Sequence, residues 1–265
     1  MKTLLKIALV IGVVILVFWI GLQIPPKPYQ DEYEILNEKI TTIKLPEGLP
    51  QPVEYFYREV YGDRIPVINS AVITGKASMR LPSKGGITFP GRFRFTHNVG
   101  KDYWHNIEVS FFGIPIMKVN EYFIDGKSRM ELPFGISEGE KIDQGANLAL
   151  WAEAIWFPSI WLTDPNVTWE DVNETSALLS VPFGEKEEHF LVSFHPETGM
   201  IEELESMRFK GTDNEEKTKW TNQPKEWQIL NSYLLPSIGE ITWEDEGSPW
   251  ASFEVENIFY NVNLQ

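Results

Sequence analysis

Two histidines and one glutamate carry the chemical possibilities of this chain. His97 ends the apolar alternation Phe93, Phe95, His97, and His105 sits in a second alternation, Tyr103, His105, Ile107, Val109, Phe111. Asn98-Val99-Gly100-Lys101 has turn chemistry between them, so the two stretches form a hairpin with both histidines on its apolar face. Glu153 lies in an alanine- and aromatic-rich helix. Two imidazole nitrogens and a carboxylate suit zinc or non-haem iron. A buried glutamate of raised pKa beside histidine would also suit acid–base work. Against both stands the plainer reading, histidines hydrogen-bonded within an aromatic core and a glutamate reaching a partner or the helix rim. The plainer reading is preferred. It implies no catalytic residue, no metal and no cofactor. His189 and His195 alternate outward, away from Phe190, Val192 and Phe194.

Other chemistry has no carrier here. The chain has no phosphate loop, no nucleophile elbow, no His-Glu-x-x-His pair and no calcium loop. With no cysteine, disulfides, thiolate metal sites and cysteine nucleophiles are excluded. The net charge of -15 disfavours nucleic acid or an anionic membrane surface as main partner.

Glu153 is positioned by the stretch Asp143–Pro158, which reads as a helix. Asp143 is an N-cap candidate, alanine and leucine fill the interior, and Pro158 stops it. Its apolar residues cover nearly every face, so the helix is expected to be buried on nearly every face. An earlier helix is expected over Pro52–Val60, with Val53, Phe56, Tyr57 and Val60 on one stripe, and a short one is possible around Tyr33–Ile40.

The histidines are positioned by strands. From Val67 the apolar period is two, and strands are predicted over 67–81, 92–97, 102–112, 116–124 and 127–134 before the central helix. After it come 175–183, 188–195, 201–210, 237–243 and 250–260, with Phe253, Val255 and Phe259 facing in. Asn214–Lys219 reads as a solvated loop. Short turns between successive strands imply a meandering antiparallel sheet. The expected fold is therefore mainly β with helices (α+β), a curved antiparallel sheet or half-barrel wrapped around a central helix.

Residues 1–24 read as a cytoplasmic stub and transmembrane anchor. Lys2 and Lys6 precede an unbroken run of apolar residues and glycine, Ile7 to Leu22, which with its flanks approaches the ~20 residues that cross a bilayer. That run is longer than a signal-peptide core, and Gly21-Leu22-Gln23 is a poor cleavage site. By the positive-inside bias the N-terminus is cytoplasmic and the rest lies outside the cytoplasm, held at the cell membrane by a single pass. Residues 25–51, rich in proline, read as a stalk, and 52–265 as one extracytoplasmic β-rich domain.

Several stretches together have a familiar look: Leu49-Pro50-Gln51-Pro52-Val53, Tyr122-Phe123-Ile124-Asp125-Gly126, Asp143-Gln144-Gly145 with Glu153, Trp156 and Pro158, and Gly239-Glu240-Ile241-Thr242-Trp243. From about Leu49 to its end the chain resembles an uncharacterised family of bacterial and archaeal proteins, many of them membrane-anchored. The order of elements is also similar to the lipoprotein-carrier (LolA-like) half-barrel. That resemblance implies an apolar ligand, a lipid or an acylated protein, held in the curved sheet. The residues expected to line such a groove are Phe93, Phe95, His97, Tyr103, His105, Phe111, Trp151, Glu153 and Trp156. A packed aromatic core is the competing use of the same residues, and the 10 Trp and 16 Phe suit either. Two other roles remain open: a cell-envelope protein-interaction or sensory module, and an enzyme using Glu153 with His97 or His105.

Overall fold

A computed structural model of the chain describes residues 1–29, 40–81 and 85–264. The first helix, α1 (Lys2–Gln23), is long and apolar enough to cross a membrane, and its side chains are almost all exposed. A two-stranded sheet pairs β1 (Thr42–Lys44) with β2 (Arg64–Pro66), and α2 (Gln51–Tyr61) lies between them in the chain. The expected helix around Tyr33–Ile40 falls almost wholly outside the described residues. The latter part of the proline-rich segment is not a free stalk. Leu45 is buried in the core, and β1 is hydrogen-bonded into the domain.

Then comes a meander: β3 (Ser70–Leu81), β4 (Ile87–Asn98), β5 (Asp102–Phe111), β6 (Ile114–Ile124), β7 (Lys127–Leu132) and β8 (Gly135–Glu138). The chain crosses through α3 (Glu140–Ala152), a 3-10 turn (Glu153–Trp156) and α4 (Ile160–Thr163). A second meander follows: β9 (Thr168–Asn173), β10 (Ser176–Phe183), β11 (Lys186–Phe194), β12 (Ile201–Arg208), β13 (Thr218–Leu230), β14 (Tyr233–Trp243) and β15 (Ala251–Tyr260). The last strand, β15, pairs with β3, so the two meanders fuse into one 13-stranded antiparallel sheet with β8 and β9 at its edges.

Neighbouring residues of α3 show how far this sheet curls. Asp143 accepts from the Ser128 N–H (2.7 Å) and Lys127 Nζ (2.9 Å) on β7. Gln144 donates to the Met207 carbonyl (3.0 Å) on β12 and accepts from the Phe209 N–H (3.2 Å) just beyond it. In the sheet order β7 and β12 are eight strand spacings apart. Flat, that is about 38 Å at ~4.8 Å per strand. A helix only ~10–12 Å across bonds to both strands because the sheet wraps around it. The mainly β, half-barrel architecture with a central helix is thus present.

The wrapped interior is aromatic. Trp156 stacks over Phe93, which packs on Phe95 and Phe253. Its indole N–H donates to the Pro236 carbonyl (3.1 Å) on β14. On α2, Val53, Phe56, Tyr57 and Val60 face in, and the Tyr57 hydroxyl donates to the Pro158 carbonyl (2.8 Å). Gly75 is required where β3 meets β15, because a Cβ there would stand 2.0 Å from the Glu254 carbonyl oxygen.

Three local expectations change. Asp143 is not the N-cap: the helix starts a turn earlier, after Gly139 at φ 116°, and Asp143 instead ties it to β7. Phe259 does not face in. A β-bulge after Val255 inserts one residue, so Ile258 and Tyr260 take the inner positions. Thr218 and Lys219, expected at the end of the loop, belong to β13. Strands β8, β9 and β13 carry little alternation to read. The two edges, β8 and β9, are nearly all exposed, and β13 is interrupted by Pro224 and by Glu226 at φ 54°.

Candidate functional site

Register places the histidines. On the β4–β5 hairpin Phe95 pairs with His105 and His97 with Tyr103, which sets the two imidazoles diagonally on one face, ring centres 5.6 Å apart. The 3-10 turn at the end of α3 brings Glu153 over them. Its Oε2 lies 2.9 Å from His97 Nε2 and 2.8 Å from His105 Nε2. His97 is fully buried, His105 nearly so, and Glu153 retains a small exposed fraction. The three donor atoms lie within 4.8 Å of one another.

The expected hydrogen-bonded core histidines are not what forms. The contacts are close but poorly aligned, so that both His97 nitrogens, His105 Nε2 and Glu153 Oε2 are buried without a well-directed hydrogen-bond partner, and the His97–Glu153 pair keeps a weak attraction. Around them stand aromatic rings. Tyr103 stacks on His105 (3.8 Å, 9°), Phe95 tilts against its other side (4.2 Å), and Phe157 closes on His97 (4.9 Å).

Two further charged groups complete the cluster. Glu121 on β6 comes within 4.0 Å of His105 Nδ1. Arg208, at the end of β12, lays its guanidinium over Trp220 (4.5 Å) and keeps Nε buried with no hydrogen-bond partner. Each had a signal. Glu121 shares the inward parity of Val119 and Phe123, and Arg208 shares that of Leu204 and Ser206.

Burial governs the protonation states. It holds both histidines below the ordinary imidazole range, His105 at about 3, with the Glu153 carboxylate pulling His97 back up in part. Burial likewise raises Glu153, against the opposing pull of His97 and Arg208. Tyr103 is held far above its usual range, first by burial and then by the Glu121 and Glu153 charges. The histidines are therefore neutral at pH 7, with nitrogen lone pairs available.

The other groove residues are placed differently. Phe93, Phe95, Tyr103 and Trp156 are buried against each other and the chain's own helix rather than around a groove, and Trp151 is buried in α3. Phe111 does not join them. It lies six residues beyond His105, about 20 Å along the strand, and packs on Phe18 of α1 (5.2 Å) and on Phe112. An open cleft of about 580 Å³ does lie at the end of the β4–β5 and β6–β7 hairpins. It touches Leu150, Trp151 and Phe123, but its rim mixes Lys101, Lys127 and Lys186 with Asp125, Glu140 and Glu185. His189 is exposed, and His195 caps its own turn by accepting from the Glu197 and Thr198 N–H groups.

A model of a family of unknown function matches residues 38–255, most of the chain and all of the site. The chain belongs to that family, DUF6544. No curated protein matches it in sequence. Among solved structures it is similar to a LolA superfamily protein, NE2245, from Nitrosomonas europaea, at 7% identity over 78% of this chain and 91% of that one, TM-score 0.47. It is also similar to a DUF1329 family protein from Desulfovibrio piger ATCC 29098, at 13% identity over 75% and 88%, TM-score 0.42. A putative outer membrane lipoprotein-sorting protein domain from Vibrio parahaemolyticus matches at 9% identity over 74% and 87%, TM-score 0.41. At such identities they assign no activity.

Proposed function

We propose that this DUF6544 member is a membrane-anchored domain outside the cytoplasm that binds the acyl chains of lipid through an apolar rim beside its anchor. The rim carries the reading. Successive hairpins alternate ends, so the β5–β6 and β7–β8 turns lie at the same end of the sheet. That end bears Phe112, Ile114, Ile116, Leu132, Phe134 and Ile136, all exposed, with Phe134 at 97%. The helix α1 ends there too. The Phe112 N–H donates to the Gly21 carbonyl (2.9 Å), and Phe18 packs on Phe111. Exposed apolar side chains this concentrated have a partner, and the segment continuous with them is the one suited to a bilayer. Lys2 and Lys6 hold the other end of α1 on the cytoplasmic side.

Lipid contact then falls at the rim and not in the concave face, which α3 fills. The acidic net charge means that the attraction is apolar, so neutral phosphatidylcholine suffices. The test is photolabelling of the full-length chain in phosphatidylcholine vesicles carrying a diazirine in the acyl chain, with the labelled residues mapped. Labels on Ile114, Ile116, Phe134 or Ile136, in addition to α1, are expected. Labels on α1 alone would overturn the proposal.

A further inference from the structure

The structure assigns His97, His105 and Glu153 a divalent-metal site that clamps the central helix to the sheet. Two observations carry it. The first is the distance set. Ligand atoms each about 2.0–2.2 Å from a shared ion lie about 2.8–3.1 Å apart at the right angles of six-coordination and about 3.3–3.6 Å apart in a tetrahedral zinc site, which these side chains would reach by opening a few tenths of an ångström. The contacts from Glu153 Oε2 to the two Nε2 atoms are 2.9 and 2.8 Å. The second is direction. A hydrogen bond aims its N–H at the acceptor, whereas ligands of one ion aim at a common point between them. These contacts are close and yet poorly aligned, leaving the nitrogens and the carboxylate oxygen buried without well-directed partners. A native interior rarely leaves that many polar atoms unsatisfied unless something absent completes them.

The surroundings fit a cation. Both imidazoles are kept neutral, as ligation requires. Glu121, 4.0 Å from His105 Nδ1, is beyond hydrogen-bond reach but acts on the ring through its charge. Arg208 acts on Glu121 and Glu153 from beyond contact, and a divalent ion would add positive charge directly beside the Glu153 carboxyl. Two nitrogens and one carboxylate suit Zn²⁺, Fe²⁺ or Co²⁺. The packing of Phe95, Tyr103 and Phe157 against the histidines makes the role structural. The ion would join the β4–β5 hairpin to the end of α3, a tertiary link that no well-directed hydrogen bond makes between these three side chains.

The experiment titrates Zn²⁺ alone into chelator-stripped full-length chain in detergent and reads calorimetry and thermal unfolding. One equivalent is expected to bind and to raise Tm. Glu153→Gln is expected to weaken binding by about 100-fold, at the upper end of what even outer-shell changes cost, and to abolish the Tm rise. The double variant His189→Ala/His195→Ala is expected to bind as wild type, because those histidines lie elsewhere. Co²⁺ substitution of the unaltered chain gives a second readout that does not depend on any variant folding: a d–d spectrum of nitrogen and oxygen ligation is expected. Absence of stoichiometric Zn²⁺ binding together with a spectrum of hydrated Co²⁺ overturns the assignment. So does Zn²⁺ affinity unchanged in a folded Glu153→Gln chain.

Discussion

Glu153 and the two histidines give the metal-free chain a pH dependence whose sign follows from burial. Each histidine has a folded pKa below its unfolded value near 6.5, so the unfolded state binds the proton first. Stability is then lost as pH falls below 6.5, for His105 down to about pH 3. The ideal slope is about 1.4 kcal/mol per pH unit for each such group. Glu153 works the other way. Its folded pKa is raised, so its contribution is fully present below about 4.5 and is lost as pH rises through the folded value. In Glu153→Gln the opposing contribution is gone. Thermal unfolding in chelator from pH 7 to 4 is expected to show a steeper loss of Tm in that variant than in wild type; parallel curves would contradict neutral histidines beside a glutamate of raised pKa. Much of this site was legible in the chain. Strand parity placed His97 and His105 on one inner face, and the apolar helix delivered Glu153 to it. The off-axis contact geometry was not legible, because period two fixes a side chain's face and not its direction. Glu121 and Arg208 have inward parity too, but a lone charge within a strand is ordinarily taken to face solvent, which masks that signal.

Asp143 and Gln144 do for α3 what hydrogen-bonded strand neighbours do for a strand. They tie it to both arms of the sheet. Asp143→Ala leaves the buried Ser128 N–H without its acceptor, and Gln144→Ala strips the Met207 carbonyl and the Phe209 N–H. Each is expected to cost about 1–3 kcal/mol, read as a lower urea midpoint. Trp156→Ala removes an indole from contact with Phe93 and its bond to Pro236, and a loss of about 3–5 kcal/mol is expected. A Trp156→Ala midpoint within error of wild type would mean that the interior is not packed as described. The helix itself was readable from its alanines and Pro158. Its start was not, because Asp143 has the type of a cap while the turn into the helix is made by Gly139 at positive φ. Phe259 misleads for a similar reason: a single bulged residue reverses parity, and no residue type announces it.

At the scale of the whole molecule, the sheet curls until strands eight spacings apart bond to one helix, and this uses the aromatic face as a core. The surface proposed to contact lipid is consequently the rim, where the hairpin turns beside α1 carry exposed apolar side chains. The meander and the long apolar N-terminal helix could be read from period and length. The rim could not, since Ile114, Ile116, Phe134 and Ile136 come together only once the hairpins are folded and their ends counted. The absence of cysteine allows a clean measurement. Ile136→Cys and, at the opposite end of the same hairpins, Lys101→Cys each accept a single nitroxide in full-length chain reconstituted in phosphatidylcholine vesicles. Power-saturation electron paramagnetic resonance then reads the depth of each. A lipid-facing rim predicts that the label at 136 is open to oxygen and shielded from an aqueous nickel chelate, and that the label at 101 shows the reverse. Equal exposure of both labels to the chelate would contradict it.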